Sequence, residues 1–228
     1  MAKNLLSNYM IKPKLVIFDW DNTLISSWNN LYSSMKHTME ILGVEPWSME
    51  KMKQTMHKSS RDFFPEVFGE EWTRAREVFY QDYQSKNATA TIEVLAGTVA
   101  TLEALKVLGV KMAIVSNKNG KYLRNEIERL GWNDYFGCVL GAYDLDEDKP
   151  SSLPVLHVLK QLEVERGFHV WFIGDTIVDM QCAQNSGCWP VLFGDQIDGA
   201  PHPRDEGIEH AHALDHGHLL ELLEKVAV

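Results

Sequence analysis

The chain has 228 residues, 45% of them hydrophobic, and 22 Lys and Arg against 32 Asp and Glu give a net charge of −10 with histidine neutral. That length and apolar share build one medium domain, or a domain with an insertion, around a sizeable core. The acidic balance, without a dense Lys/Arg block, argues against a nucleic-acid partner, and no apolar run reaches the roughly 18 residues of a membrane span.

Met1 to Ile11 carries Lys3, Asn4, Ser7 and Asn8 where a signal peptide would be continuously apolar. The first strong element follows. Leu15-Val16-Ile17-Phe18 reads as a strand buried on both faces, and it runs into Asp19-Trp20-Asp21-Asn22-Thr23-Leu24. Residues i and i+2 of an extended segment point the same way, so Asp19 and Asp21 share one cleft. From about 27 to 90 the pattern turns helical. Leu31, Met35, Met39 and Leu42 mark one helix, Pro46 suits the first turn of a second running to about His57, and Arg61 to Gly69 reads as an irregular or helical link around Pro65. Glu70 to Lys86 is a further helix. Almost all of the excess negative charge lies outside this all-α insert.

From Val94 strands and helices alternate. Helices are expected over 97–108, 121–130 and 153–162, up to Ser186, and from about 215 to 226; strands over 110–115, 137–141, 170–173 and 190–193. This rhythm predicts an α/β fold, a parallel doubly wound (Rossmann-like) sheet formed by 1–26 and 91–228, with 27–90 as an inserted all-α cap. In such a sheet Asp19, Asp21, Ser116, Asn117 and Asp175 end strands on one edge, with Lys149 in a loop beside them and Asp179 one turn into the next helix. Carboxylates gathered there suit Mg2+. Ser116 and the amides after it can receive phosphate oxygens, and Lys149 offers a point charge to both carboxylates and phosphate.

Asp19-Trp20-Asp21-Asn22-Thr23-Leu24, then Ser116 after an apolar strand, Lys149-Pro150, and Gly174-Asp175-Thr176-x-x-Asp179 together resemble the haloacid dehalogenase superfamily, nearest its phosphoglycolate-phosphatase-like and β-phosphoglucomutase-like members. Asn22 stands where Gly is more usual, and the acidic run Asp144 to Asp148 before Lys149 is a second departure. The resemblance implies a phosphatase acting on a small phosphorylated metabolite. Asp19 would be the nucleophile, Asp21 the acid and base, and Ser116, Asn117 and Lys149 the phosphate site. The Asp19 side chain, the Asp21 carbonyl and Asp175 would hold the metal, with Asp179 supporting and Thr23 orienting Asp21 or its turn. Arg61 of the insert is the expected specificity residue, its guanidinium meeting a substrate carboxylate or sugar hydroxyl.

A phosphosugar mutase shares all these motifs, a haloacid dehalogenase needs neither Asp21 nor Asp175, and a non-catalytic binding protein on the same fold predicts a damaged motif. Histidines 202, 210, 212, 216 and 218 read as exposed polar residues rather than a second metal site, and Lys51, Lys53, His57 and Lys58 as a solvated helix face. Cys138, Cys182 and Cys188 show no metal-type spacing and read as buried free thiols of a cytoplasmic protein, a monomer or homodimer.

Overall fold

The computed structural model describes residues 10–87 and 90–226; most of the Met1–Ile11 stretch, and Ala88 and Thr89 near the end of the insert, lie outside the described residues. Six parallel strands form the central sheet. In chain order they are β1 (Leu15–Phe18), β4 (Lys111–Asn119), β5 (Cys138–Ala142), β6 (Val170–Gly174), β7 (Trp189–Phe193) and β8 (Ala211–Ala213), and in space β5-β4-β1-β6-β7-β8. β1 is central, and all four of its residues are fully buried. Val16 and Phe18 point to one layer, packed with Leu102 and Leu105 of α5 (Thr98–Val107), Leu123 and Ile127 of α6 (Gly120–Leu130), and Leu219 and Leu223 of α9 (His216–Val226). Leu15 and Ile17 point to the other, with Val155 and Val158 of α7 (Leu153–Gln161) and Cys182 and Ala183 of α8 (Ile177–Ser186). The two-residue alternation of a strand thus sets up both faces of the expected doubly wound fold.

A second, two-stranded sheet was not foreseen. β2 (Ile25–Ser26) and β3 (Glu93–Val94) pair antiparallel, with Ile25 opposite Val94 and Ser26 opposite Glu93. Between them run α1 (Trp28–Ile41), α2 (Met49–Thr55), α3 (Ser60–Phe68) and α4 (Trp72–Asn87). These helices share their own apolar cluster, which includes Met35, Met39, Met52, Phe63, Phe64 and Phe79.

Two local readings are corrected here. α2 begins at Met49, not at Pro46, because the Ser48 hydroxyl accepts from the Lys51 N–H and caps the helix. The stretch around Pro65 is a regular helix, since burying Phe63, Phe64 and Phe68 on one side offsets the backbone hydrogen bond that a proline forfeits. β4 also runs four residues further than expected, through Asn119. No helix among the described residues is long and apolar enough to cross a membrane. All three cysteines are free and buried, and burial pushes the Cys188 thiol up to about 12.

Candidate active site

Strand register assembles the site. Phe18 stands level with Ile114 and Ile173, and the Asp19 N–H donates to the Ile173 carbonyl at 2.8 Å. Ser116 and Asp175 therefore emerge one residue beyond Asp19, from the strands on either side. Asn22 makes the turn after them: its φ is 59°, the left-handed region that Asn tolerates, and its side-chain oxygen accepts from the Ser27 N–H. The expected departure from Gly leaves the turn intact.

Lys149 lies almost fully buried between two carboxylates, its Nζ 2.7 Å from Asp19 Oδ1 and 2.6 Å from Asp179 Oδ1. Its backbone is held by Asn117, whose amide nitrogen donates to the Lys149 carbonyl while its oxygen accepts the Lys149 N–H, both at 3.1 Å. The Asn117 side chain, read in the sequence as a phosphate ligand, is thus committed to the loop that carries Lys149. Asp179 is fully buried, and its Oδ2 accepts from the backbone N–H and the hydroxyl of Thr176. This satisfies the start of α8 and aims the other oxygen at Lys149.

Asp19, Asp175 and Asp179 each offer an oxygen within 4.8 Å of the others. Three carboxylates against one ammonium leave two negative charges uncompensated. Burial, opposed by Lys149 and reinforced by Asp179 and Asp21, lifts the Asp19 carboxyl to about 6. Burial, with Asp179 and Asp19, holds Asp175 well above the usual carboxylate range. Burial works to lower the Lys149 ammonium, but Asp179 and Asp19 prevail and raise it. An all-oxygen donor set with that charge deficit fits a hard divalent cation such as Mg2+.

Asp21 is held apart from this cluster. Lys118 Nζ donates to Asp21 Oδ1 at 2.8 Å and to the Tyr83 hydroxyl at 2.6 Å, and pairs with Glu126 at 3.1 Å. Glu126 in turn accepts from Trp20 Nε1 and from Tyr83. Lys118 went unremarked in the sequence because the strand was ended at Val115. β4 pairs irregularly with β5 between Val115 and Asn119, so strand alternation read from the sequence does not foretell the reach of Lys118 to Asp21. The Thr23 hydroxyl, expected to orient Asp21 or its turn, is buried without a hydrogen bond; its backbone carbonyl instead accepts from His216 Nε2 at 2.9 Å.

A cavity of about 100 Å³ opens above these groups, reached by Asp19, Asp21, Ser116, Asn117, Lys149 and Asp175. His57, assigned in the sequence to a solvated face, lines it too. Its Nε2 donates to the Gln54 carbonyl, Nδ1 is buried without a partner, and burial lowers its pKa. Arg61 does not line the cavity. It sits in the first turn of α3, donates to the carbonyls of Leu145 and, at 3.0 Å for the former, of Asp146, lies 3.4 Å from Asp148 and stacks over the Tyr143 ring. The acidic run supplies its partners. Nor are the late histidines uniformly exposed: His210 and His216 are buried, and among the described residues the histidines form no potential metal cluster.

Residues 16–192 match the sequence profile of the haloacid dehalogenase-like hydrolases. A phosphoglycolate phosphatase of Chromobacterium violaceum is 30% identical over 190 residues, 79% of this chain and 85% of that one. One from Psychrobacter arcticus is 29% identical over 185 residues, 76% and 80%. Among crystal structures, a haloacid dehalogenase superfamily hydrolase of Ehrlichia chaffeensis superposes with a TM-score of 0.67 at 26% identity, covering 96% of this chain and all of the other. A protein of Lactobacillus delbrueckii reaches 0.80 at 22% identity over 93% and 99%, a likeness of fold alone. The chain belongs to the haloacid dehalogenase-like hydrolases, in their phosphoglycolate-phosphatase-like subgroup of phosphatases.

Proposed function

We propose that the protein is a Mg2+-dependent phosphatase that hydrolyses a small phosphomonoester through an aspartyl-phosphate on Asp19, with residues 27–90 acting as a cap. The observation that carries this reading is Asp19 held at 2.7 Å by a buried lysine, beside Asp175 and Ser116, at the carboxyl edge of a parallel sheet.

Ser116 and Lys149 bind the phosphate oxygens. An Asp19 oxygen attacks phosphorus, and the bond from phosphorus to the leaving oxygen breaks as Asp21 donates its proton to that oxygen. The Asp21 carboxylate then takes a proton from water, whose oxygen attacks phosphorus; the bond to Asp19 breaks, and phosphate departs. Asp21 can make this exchange because it lines the same cavity outside the Asp19–Lys149–Asp179 cluster, held by Lys118 at 2.8 Å. Asp19, the Asp21 carbonyl and Asp175 would hold a magnesium ion, which would compensate the charge on these carboxylates and on phosphate.

The test is phosphate release from a panel of small phosphomonoesters with Mg2+, with EDTA, and with the Asp19→Asn variant. Activity should require Mg2+ and fall by roughly 10³-fold or more in the variant, while the variant unfolds near the wild-type temperature. Turnover that survives in purified Asp19→Asn, or in chelated enzyme, would overturn the reading.

A further inference from the structure

Resting on the phosphatase reading, we infer that the alcohol released from phosphate is uncharged and apolar, an aryl-bearing or similar group, rather than a carboxylate-bearing one. The floor of the cavity is ionic, while much of the remaining wall is apolar or aromatic, beside the uncharged Asn22, Ser60 and Asn119. Trp28 and Leu31 of α1, Met56 just after α2, Phe79 and Tyr80 of α4, and Tyr122 of α6 line it. Tyr80 and Tyr122 stack with ring centres 5.3 Å apart, so the aromatic wall is continuous from the helical segment to the sheet side.

The cations that could receive a second negative charge are spent elsewhere. Arg61 is bound to the Leu145 and Asp146 carbonyls, and Arg76 lies over the Trp72 and Tyr143 rings at 5.0 and 5.5 Å; neither lines the cavity. Lys58 also lines the cavity, its ammonium drawn to Glu66 at 2.5 Å in a solvent-exposed pair. Lys118 is neutralised by Asp21 and Glu126. Lys149 belongs to the phosphate and its carboxylates. Burial favours the neutral form of His57, whose Nδ1 offers a lone pair rather than a proton while Nε2 donates to Gln54.

A carboxylate placed against this wall would lose its water to apolar surface, with no unpaired cation in return. A ring in the same place would bury apolar surface against side chains such as Trp28, Leu31, Met56 and Phe79, each square ångström contributing about 25 cal/mol. The phosphatases to which this chain is related are named for phosphoglycolate, whose carboxylate this wall does not accommodate.

The test compares steady-state kinetics of the intact enzyme with Mg2+ on benzyl phosphate, 2-hydroxyethyl phosphate and phosphoglycolate. The last two share a skeleton and differ in the carboxylate. Benzyl phosphate should exceed phosphoglycolate in kcat/KM by about tenfold or more, a discrimination an apolar pocket can supply, with 2-hydroxyethyl phosphate between them. In Trp28→Ala the ratio of benzyl to hydroxyethyl turnover should shrink, mostly through the KM for the benzyl ester, and Trp28→Phe should restore it. Equal or better use of phosphoglycolate overturns this inference and leaves the phosphatase reading standing. No Mg2+-dependent release from any of the three, or from p-nitrophenyl phosphate, overturns both.

Discussion

The Asp179 carboxylate occupies the space that a side chain at position 174 would need: a Cβ on Gly174 would stand 2.3 Å from the Asp179 carboxyl carbon. Asp179 cannot retreat, since Thr176 holds one of its oxygens and Lys149 the other. Gly174→Ala should therefore lower stability by about 1–3 kcal/mol, the usual effect of overpacking a filled interior, and lower turnover as well by displacing Lys149. Thermal unfolding and phosphate release measure both. An unchanged melting temperature with unchanged activity would refute the argument.

Lys118 serves two carboxylates at once, the buried Glu126 and the mostly buried Asp21. Lys118→Met strands Asp21 and Glu126 and should destabilise the protein by about 3–5 kcal/mol, as breaking a buried pair does. Adding Glu126→Gln should recover much of that loss, because the amide oxygen still accepts from Trp20 Nε1 while the amide NH2 can donate to the Tyr83 hydroxyl that Lys118 no longer bonds. Activity should not recover with it, since Asp21 remains without its holder. Denaturant midpoints set beside turnover of an unactivated ester separate the two effects.

His216 is fully buried, and burial keeps its pKa below the ordinary 6.5. Its Nε2 proton goes to the Thr23 carbonyl, and Nδ1 is left to accept from the Thr101 hydroxyl at 3.1 Å. The folded pKa is depressed, so below about pH 6.5 the unfolded chain binds a proton that the native state resists. Stability should fall as pH drops from 6.5 toward 5. His57 and His210 are shifted the same way and add to this slope. His216→Gln should be less stable than wild type at pH 7.5 yet show a flatter decline; parallel melting curves against pH would assign the slope elsewhere.

Arg61 fastens the helical segment to the 143–148 loop. Arg61→Ala should change kcat/KM by similar factors, a few-fold each, on charged and uncharged esters alike. A selective loss on a carboxylate-bearing ester would return Arg61 to substrate recognition and weaken the case for an apolar leaving group.

Most of the sheet was legible because its strands are buried on both faces: Leu15 to Phe18 and Val170 to Gly174 contain no polar residue to blur the signal. The carboxylates followed from strand ends, where sequence position and spatial position coincide. Arg61 and His57 were misplaced for a shared reason. Each lies in a helix or a short link whose rotation about its own axis depends on partners distant in sequence, Leu145 and Asp146 for the one and Gln54 with the cavity for the other. The β2–β3 pair was too short to leave any alternating pattern. The network of Lys118, Glu126, Trp20 and Tyr83 joins β4, α6, α4 and the turn after β1 through side chains that individually read as ordinary surface or core residues.

That short ribbon has a consequence for how the molecule tolerates change. The chain departs for its helices at Ser26 and returns at Glu93, two residues that face each other across one rung of backbone pairing. Seen from the central sheet, the backbone of the excursion spans no distance, so the strands on either side set no limit on its length. Its contents are tied to the core by side chains such as Tyr83, at Lys118 and Glu126, and Arg61, at the 143–148 loop. Helices could be lengthened, shortened or exchanged there without moving Asp19 or Ser116, since ends already joined need no new closure. The helical segment is thus built as an adjustable fitting, and the sheet edge that carries Asp19 and Ser116 as fixed masonry.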